Sequence, residues 1–111
     1  MTAEHYFKEG CFIEEWLNNS ENEDISIARV RVEANSTTRK HKLLNTKEHY
    51  VILRGSGIVT IGEKTWQVNE KDVVSIMPGQ SQNIENYNSN DLIFLAICSP
   101  RFEEKNYMEC D

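Results

Sequence analysis

The residues of this 111-residue chain best suited by type and spacing to do chemistry lie between His41 and Asn86. Glu48 opens the run Glu48-His49-Tyr50-Val51-Ile52-Leu53-Arg54-Gly55, in which six residues separate an acid from a glycine. The alternating apolar residues between them read as a strand that ends in a tight turn. On such a strand Glu48, Tyr50 and Ile52 share one face, while His49 takes the other. If the Glu48 face looks inward, the acid is costly to bury unless it meets a metal, an arginine or hydrogen-bond donors. Arg29, Arg31 and Arg39 are its candidate partners for an internal ion pair. His41, seven residues before Glu48, is either a satisfied core histidine or a lining residue of a pocket.

Other chemistries find little support. Cys11, Cys98 and Cys110 are an odd number without CxxC spacing, which fits reduced thiols in a cytoplasmic protein. Cys11 and Cys98 sit in apolar runs as small buried hydrophobes, and neither has a neighbouring histidine to make it a nucleophile. No Ser-His-Asp arrangement and no phosphate-cradling glycine loop is present. The net charge is -6 and no basic run exceeds Arg39-Lys40, against nucleic acid and anionic membrane surfaces as partners. The first residues mix charges of both signs and lack the apolar core of a signal peptide, and no stretch approaches transmembrane length.

The elements that must position these residues are short strands. Ile25 to Val32 alternates, with Ala28, Val30 and Val32 on one face and Arg29 and Arg31 on the other. His49–Leu53, Ile58–Ile61, Asp72–Ile76 and Leu92–Cys98 are rich in Val, Ile and aromatics and read as further strands. Gly55-Ser56-Gly57, Gly62-Glu63-Lys64, Asn69-Glu70-Lys71, Pro78-Gly79 and Asn88-Ser89-Asn90 punctuate them as turns. Cys11–Leu17 reads as an edge strand, and 18–24 as a solvated acidic loop. Strands about ten residues apart imply an all-β sandwich or barrel. One domain spans the chain, with a barrel core at about 25–99, an N-terminal strand segment at 6–17 and a tail at 100–111 that adds a short strand or helix.

Two segments together resemble the signature motifs of the cupin superfamily, whose fold is a single jelly-roll β-barrel, or double-stranded β-helix. Glu48 and Gly55 fill the E-x6-G half of the first motif. Ahead of Glu48, His41 and Leu43 occupy the paired histidine positions in one register, and Arg39 and His41 in the other. In the second motif Lys71 stands for the opening glycine, Met77-Pro78-Gly79 brings the proline one place late, Gln82 replaces the histidine and Asn86 closes. The resemblance extends to a small single-barrel branch, through Ser26 to Val32, Thr37 to Leu43, Glu48 to Gly57 and Cys98 to Phe102.

The resemblance implies a divalent metal (Mn, Fe, Zn or Ni) held by His41, Glu48 and Gln82, with Arg29, Arg39, Leu43 and Tyr50 around a ligand pocket. Gln82 is a modest oxygen ligand, equally able to hydrogen-bond an organic ligand or the His41 ring. Two readings follow. One is a metal-dependent enzyme of oxygenase or sugar isomerase and epimerase type. The other is a non-catalytic barrel that binds a small polar molecule without metal. The alternation of Val51 and Leu53 away from Glu48, with Phe12 and Trp16 nearby, leads us to expect a homodimer. Trp16 and Trp66 are expected to pack rather than to stack on a cofactor.

Overall fold

Period-two burial, the mark of strands with one wet and one dry face, recurs within residues 3–110, the part described by the computed structural model, and is cleanest at 41–43, 57–61 and 81–86. In chain order the strands are β1 (His5–Phe7), β2 (Cys11–Leu17), β3 (Ser26–Val32), β4 (Ser36–Thr37), β5 (His41–Leu43) and β6 (Lys47–Arg54). They continue as β7 (Gly57–Ile61), β8 (Lys64–Val68), β9 (Val73–Ile76), β10 (Ser81–Asn86) and β11 (Leu92–Ser99). A 3-10 turn at Glu104–Asn106 then leads into β12 (Tyr107–Glu109). Two antiparallel sheets face each other, in the orders β1-β2-β3-β11-β6-β9 and β12-β5-β10-β7-β8, with β4 also paired to β10. The chain crosses between the sheets repeatedly, as a double-stranded β-helix does, and no α-helix occurs among the described residues.

The expected strands are present, and β6 buries Glu48, Tyr50 and Ile52 on its inner face while Leu53 is exposed. Lys64–Val68, in contrast, is a strand that the sequence pattern missed. It pairs only with β7 at the end of its sheet, so four of its five residues stay exposed and no alternation is imposed on them. Trp66 on this strand and Trp16 on β2 are 41% and 54% exposed, so neither packs into the core. The tail supplies both a helical turn and a strand, β12, which pairs with β5.

Between the sheets lies a continuous core that includes Val32, Ile52, Val59, Ile76, Ile84 and Phe94. A smaller cluster of Leu43, Cys98 and Tyr107, with Phe7 and Phe102 against it, closes one end. Gly57 starts β7 where a Cβ would stand 2.9 Å from the Glu85 carbonyl oxygen and 3.0 Å from Leu92, so only glycine lets β7 and β10 approach there. Asn86 ties the opposite end. Its Nδ2 donates to the carbonyls of Val32 (3.0 Å), Glu33 (3.2 Å) and Asn90 (2.9 Å), and its Oδ1 accepts from the Asn88 amide.

Candidate functional site

A cavity of about 180 Å³ opens between the sheets beside the smaller aromatic cluster. Its polar lining comes from distant parts of the chain: Glu9 from the β1–β2 turn, His41 from β5, Glu48 and Tyr50 from β6, and Ser26 and Cys98 from β3 and β11. The register explains their meeting. Glu48 lies opposite Cys98 across β6–β11, and His41 lies opposite Gln82 across β5–β10. Glu9 is delivered by a tight turn closed by the Gly10 amide on the Phe7 carbonyl (2.9 Å), with Gly10 at φ +97°. The Arg39 amide then donates to the Glu9 carbonyl at 2.6 Å and pins that turn beside β5.

His41 is buried, and its Nδ1–H donates to the Arg39 carbonyl oxygen at 2.8 Å. That bond fixes the tautomer and turns Nε2, with its lone pair, towards Glu9 Oε1 at 3.7 Å. The ring also stacks on Tyr107, with centroids 5.1 Å apart. Burial lowers the imidazole pKa, the Arg39 carbonyl and the charge of Glu48 only partly opposing it, so the ring favours its neutral form.

Two acids share this interior. Burial lifts Glu9 to about 7, with a hydrogen bond from Cys11 pulling the other way. Burial and the neighbouring charge of Glu9 lift Glu48 to about 7, while His41, Gln82 and Cys98 draw it down. The same burial raises the Cys11 and Cys98 thiols, so both are inert rather than nucleophilic. Cys98 Sγ donates to Glu48 Oε2 at 3.7 Å, but Glu48 Oε1 is buried with no hydrogen-bond partner. Gln82 accepts the Tyr50 hydroxyl on its Oε1. Its Nε2 lies near enough to Glu48 to lower that acid's pKa yet completes no hydrogen bond, and the Tyr107 hydroxyl is likewise unpartnered.

The sequence-predicted set is thus brought together in part. His41, Glu48, Leu43 and Tyr50 line the cavity, and Gln82 stands behind Tyr50. Arg29 and Arg39 must be corrected, because neither lines it. Arg29 faces outward to Glu4 at 3.5 Å, and Arg39 is exposed and reaches Glu109 at 3.5 Å. Burial decides the register: His41 and Leu43 point inward, whereas Arg39, in phase with them, is exposed. Glu9 went unnoticed because it lies in a turn outside both motifs, where no periodicity marks an inward residue.

These residues do not fit a resident metal. Among those described, no three His, Cys, Asp or Glu side chains converge to hold an ion. Leu43 fills the second histidine position, and Gln82, whose Oε1 accepts the Tyr50 hydroxyl, puts a neutral amide where the second motif has a histidine.

The double-stranded β-helix and the filled E-x6-G half-motif define a cupin. More narrowly, the chain belongs to the family described as mannose-6-phosphate isomerase C-terminal, whose model matches residues 13–109. It is 29% identical over 101 residues to the uncharacterized protein MJ1618 of Methanocaldococcus jannaschii, covering 89% of this chain and 81% of that protein. Among solved structures it is similar to Streptomyces PAC13 with uridine, at 13% identity and TM-score 0.83, covering 99% of this chain and 85% of that one. PAC13 is described as a nucleoside dehydratase. A predicted oxalate decarboxylase of Thermotoga maritima is 24% identical at TM-score 0.81, covering 89% of this chain and 93% of that one. No helix is long and apolar enough to cross a membrane among the described residues.

Proposed function

We propose that this barrel binds a small polar organic molecule in the cavity between its sheets, without a resident metal, and that Glu48, Glu9 and His41 supply its polar contacts. The observation that carries this reading is Glu48, a buried acid of the cavity lining whose Oε1 completes no hydrogen bond, the neutral Gln82 amide lying near it without closing one. Leaving such an atom unpaired costs about 1–3 kcal/mol, which a ligand donor offsets. The unpartnered Tyr107 hydroxyl at the same end supports the reading. A cavity volume of about 180 Å³ is the space of a compact molecule rather than of one ion.

The chemistry these groups offer is proton transfer. Carboxyl groups that titrate near 7 can give or take a proton at neutral pH, and the Nε2 lone pair of His41 can accept one. The three free thiols favour a reducing compartment, and we place the protein in the cytoplasm.

Thermal unfolding with a panel of small polyols, sugars, amines and acids tests the reading. A ligand at one hundred times its Kd should add about 2.7 kcal/mol of stability. The gain should survive EDTA and fall away in Glu48→Gln. A transition metal that co-purifies in one-to-one ratio, and whose removal by EDTA abolishes ligand binding, would overturn the metal-free reading.

A further inference from the structure

We propose that the ligand is a small organic ammonium compound. The inference rests on the reading of the cavity as a small-molecule site and names the class of molecule it takes. Every charged or titratable lining group other than the Cys98 thiol and the Tyr50 hydroxyl is a carboxyl or an imidazole: Glu9, Glu15, Glu48, Glu104, His5 and His41. No lysine or arginine lines the cavity among the described residues, and the two arginines expected there point elsewhere.

The acids are not equivalent. Glu15 and Glu104 already have partners, Asn18 at 2.8 Å and Lys8 at 3.1 Å. Glu9 and Glu48 lie deeper, and among the described residues the cation-capable group that faces them is the neutral-leaning His41 ring. A buried carboxylate without a counter-charge is costly, so what the interior lacks is one positive charge that donates hydrogen bonds. Glu48 Oε1 completes no hydrogen bond, and the Gln82 amide near it is a neutral donor that cannot balance its charge.

The remaining walls select an organic cation over an inorganic one. Ile13, Val30, Phe7, Phe94 and Phe102 offer apolar and aromatic surface, which cannot ligate a metal but suits the carbon skeleton and the diffuse charge of an alkylammonium. The molecule already contains one instance of this chemistry. At the rim, Lys8 Nζ lies 4.7 Å above the Tyr107 ring and 3.1 Å from Glu104, an ammonium held by an aromatic face and a carboxylate. The same inventory disfavours phosphate-bearing sugars, although the family's description names one, because phosphate recognition needs cationic or clustered N–H donors that the lining does not provide.

Calorimetric titration with choline, ethanolamine and putrescine, against the uncharged choline isostere 3,3-dimethylbutan-1-ol and against propionate and glucose 6-phosphate, tests the proposal. At least one amine should bind tenfold or more tighter than the isostere, and the anions should not bind. Glu48→Gln and Glu9→Gln should each erase that tenfold preference, and circular dichroism checks that the variants fold. Equal binding of amine and isostere, or binding of an anion, overturns the ammonium assignment while leaving the small-molecule reading intact. Absence of binding by every probe, together with no response to the wider panel, overturns both. Saturable one-to-one binding of Mn or Zn chloride alone, lost in Glu48→Gln, overturns the choice of an organic cation.

Discussion

Two carboxyl groups inside one small cavity set the pH response of the fold. Glu9 and Glu48 hold their protons to about 7 when folded, against 4.5 ordinarily, because burial disfavours the charged form. The folded state therefore binds more protons than the unfolded chain between those values. The stabilisation is complete below 4.5, falls as pH rises towards 7 and is gone above it. His41 acts in the opposite sense, since its lowered pKa adds stability that is lost as pH falls below 6.5. One imidazole does not outweigh two acids. The midpoint of urea unfolding should thus fall between pH 5 and pH 8.5. Glu48→Gln, which is always neutral, should match the wild type at pH 5 and exceed it at pH 8.5. Equal destabilisation at both pH values would mean instead that Glu48 is held ionised by a partner.

At the scale of the elements, the motif that closes on Asn86 has a structural meaning independent of any ligand. The Asn86 amide gathers three carbonyls from the β3 end and the loop before β11, holding the far end of the barrel shut. Asn86→Ala leaves these groups unpaired and should cost on the order of 3 kcal/mol by urea denaturation. Asn86→Asp keeps the shape but points acceptors at acceptors, so it should cost at least as much. A mild effect in both variants would assign the lock to the backbone alone. This residue shows how the sequence was legible: Asn86 could be found by spacing, but its partners, 53 and 54 residues away, could not. The strands with a strict inner face, β3, β6 and β11, were legible because burial forces alternation on them. Strand β8 lies at a sheet edge with its first four residues exposed, and Trp66 is a lone apolar residue among Lys64, Thr65 and Gln67, too little to mark a strand. Glu9 was illegible for a related reason, since a turn residue gains its burial only when the β1–β2 hairpin docks against Arg39.

At the scale of the whole molecule, one outer sheet face carries an exposed apolar row. On the sheet that carries β11, β6 and β9, Leu95 lies opposite Val51, which lies opposite Val73, making an apolar row across three strands. Val73 is 58% exposed and Leu53 beside it 45%, values that polar side chains would ordinarily hold at such positions. Phe12, by contrast, is already covered, with the Arg31 guanidinium 4.4 Å above its ring and Tyr6 edge-on at 5.2 Å. The Val51–Val73 row is thus a candidate contact face in addition to the N-terminal strands, where Tyr6 and Trp16 are also exposed, and a two-fold contact that stacks two such rows would cover both at once. A stable contact of this kind needs about 800 Å² from each copy. Sedimentation equilibrium at about 10 µM should report twice the chain mass of 12.9 kDa. Val73→Lys places a charge in the middle of the contact, and it should shift the species towards 12.9 kDa while leaving the circular dichroism of the barrel unchanged. A wild-type protein that sediments as a monomer at that concentration removes the dimer, and a Val73→Lys variant that stays dimeric moves the interface to another face.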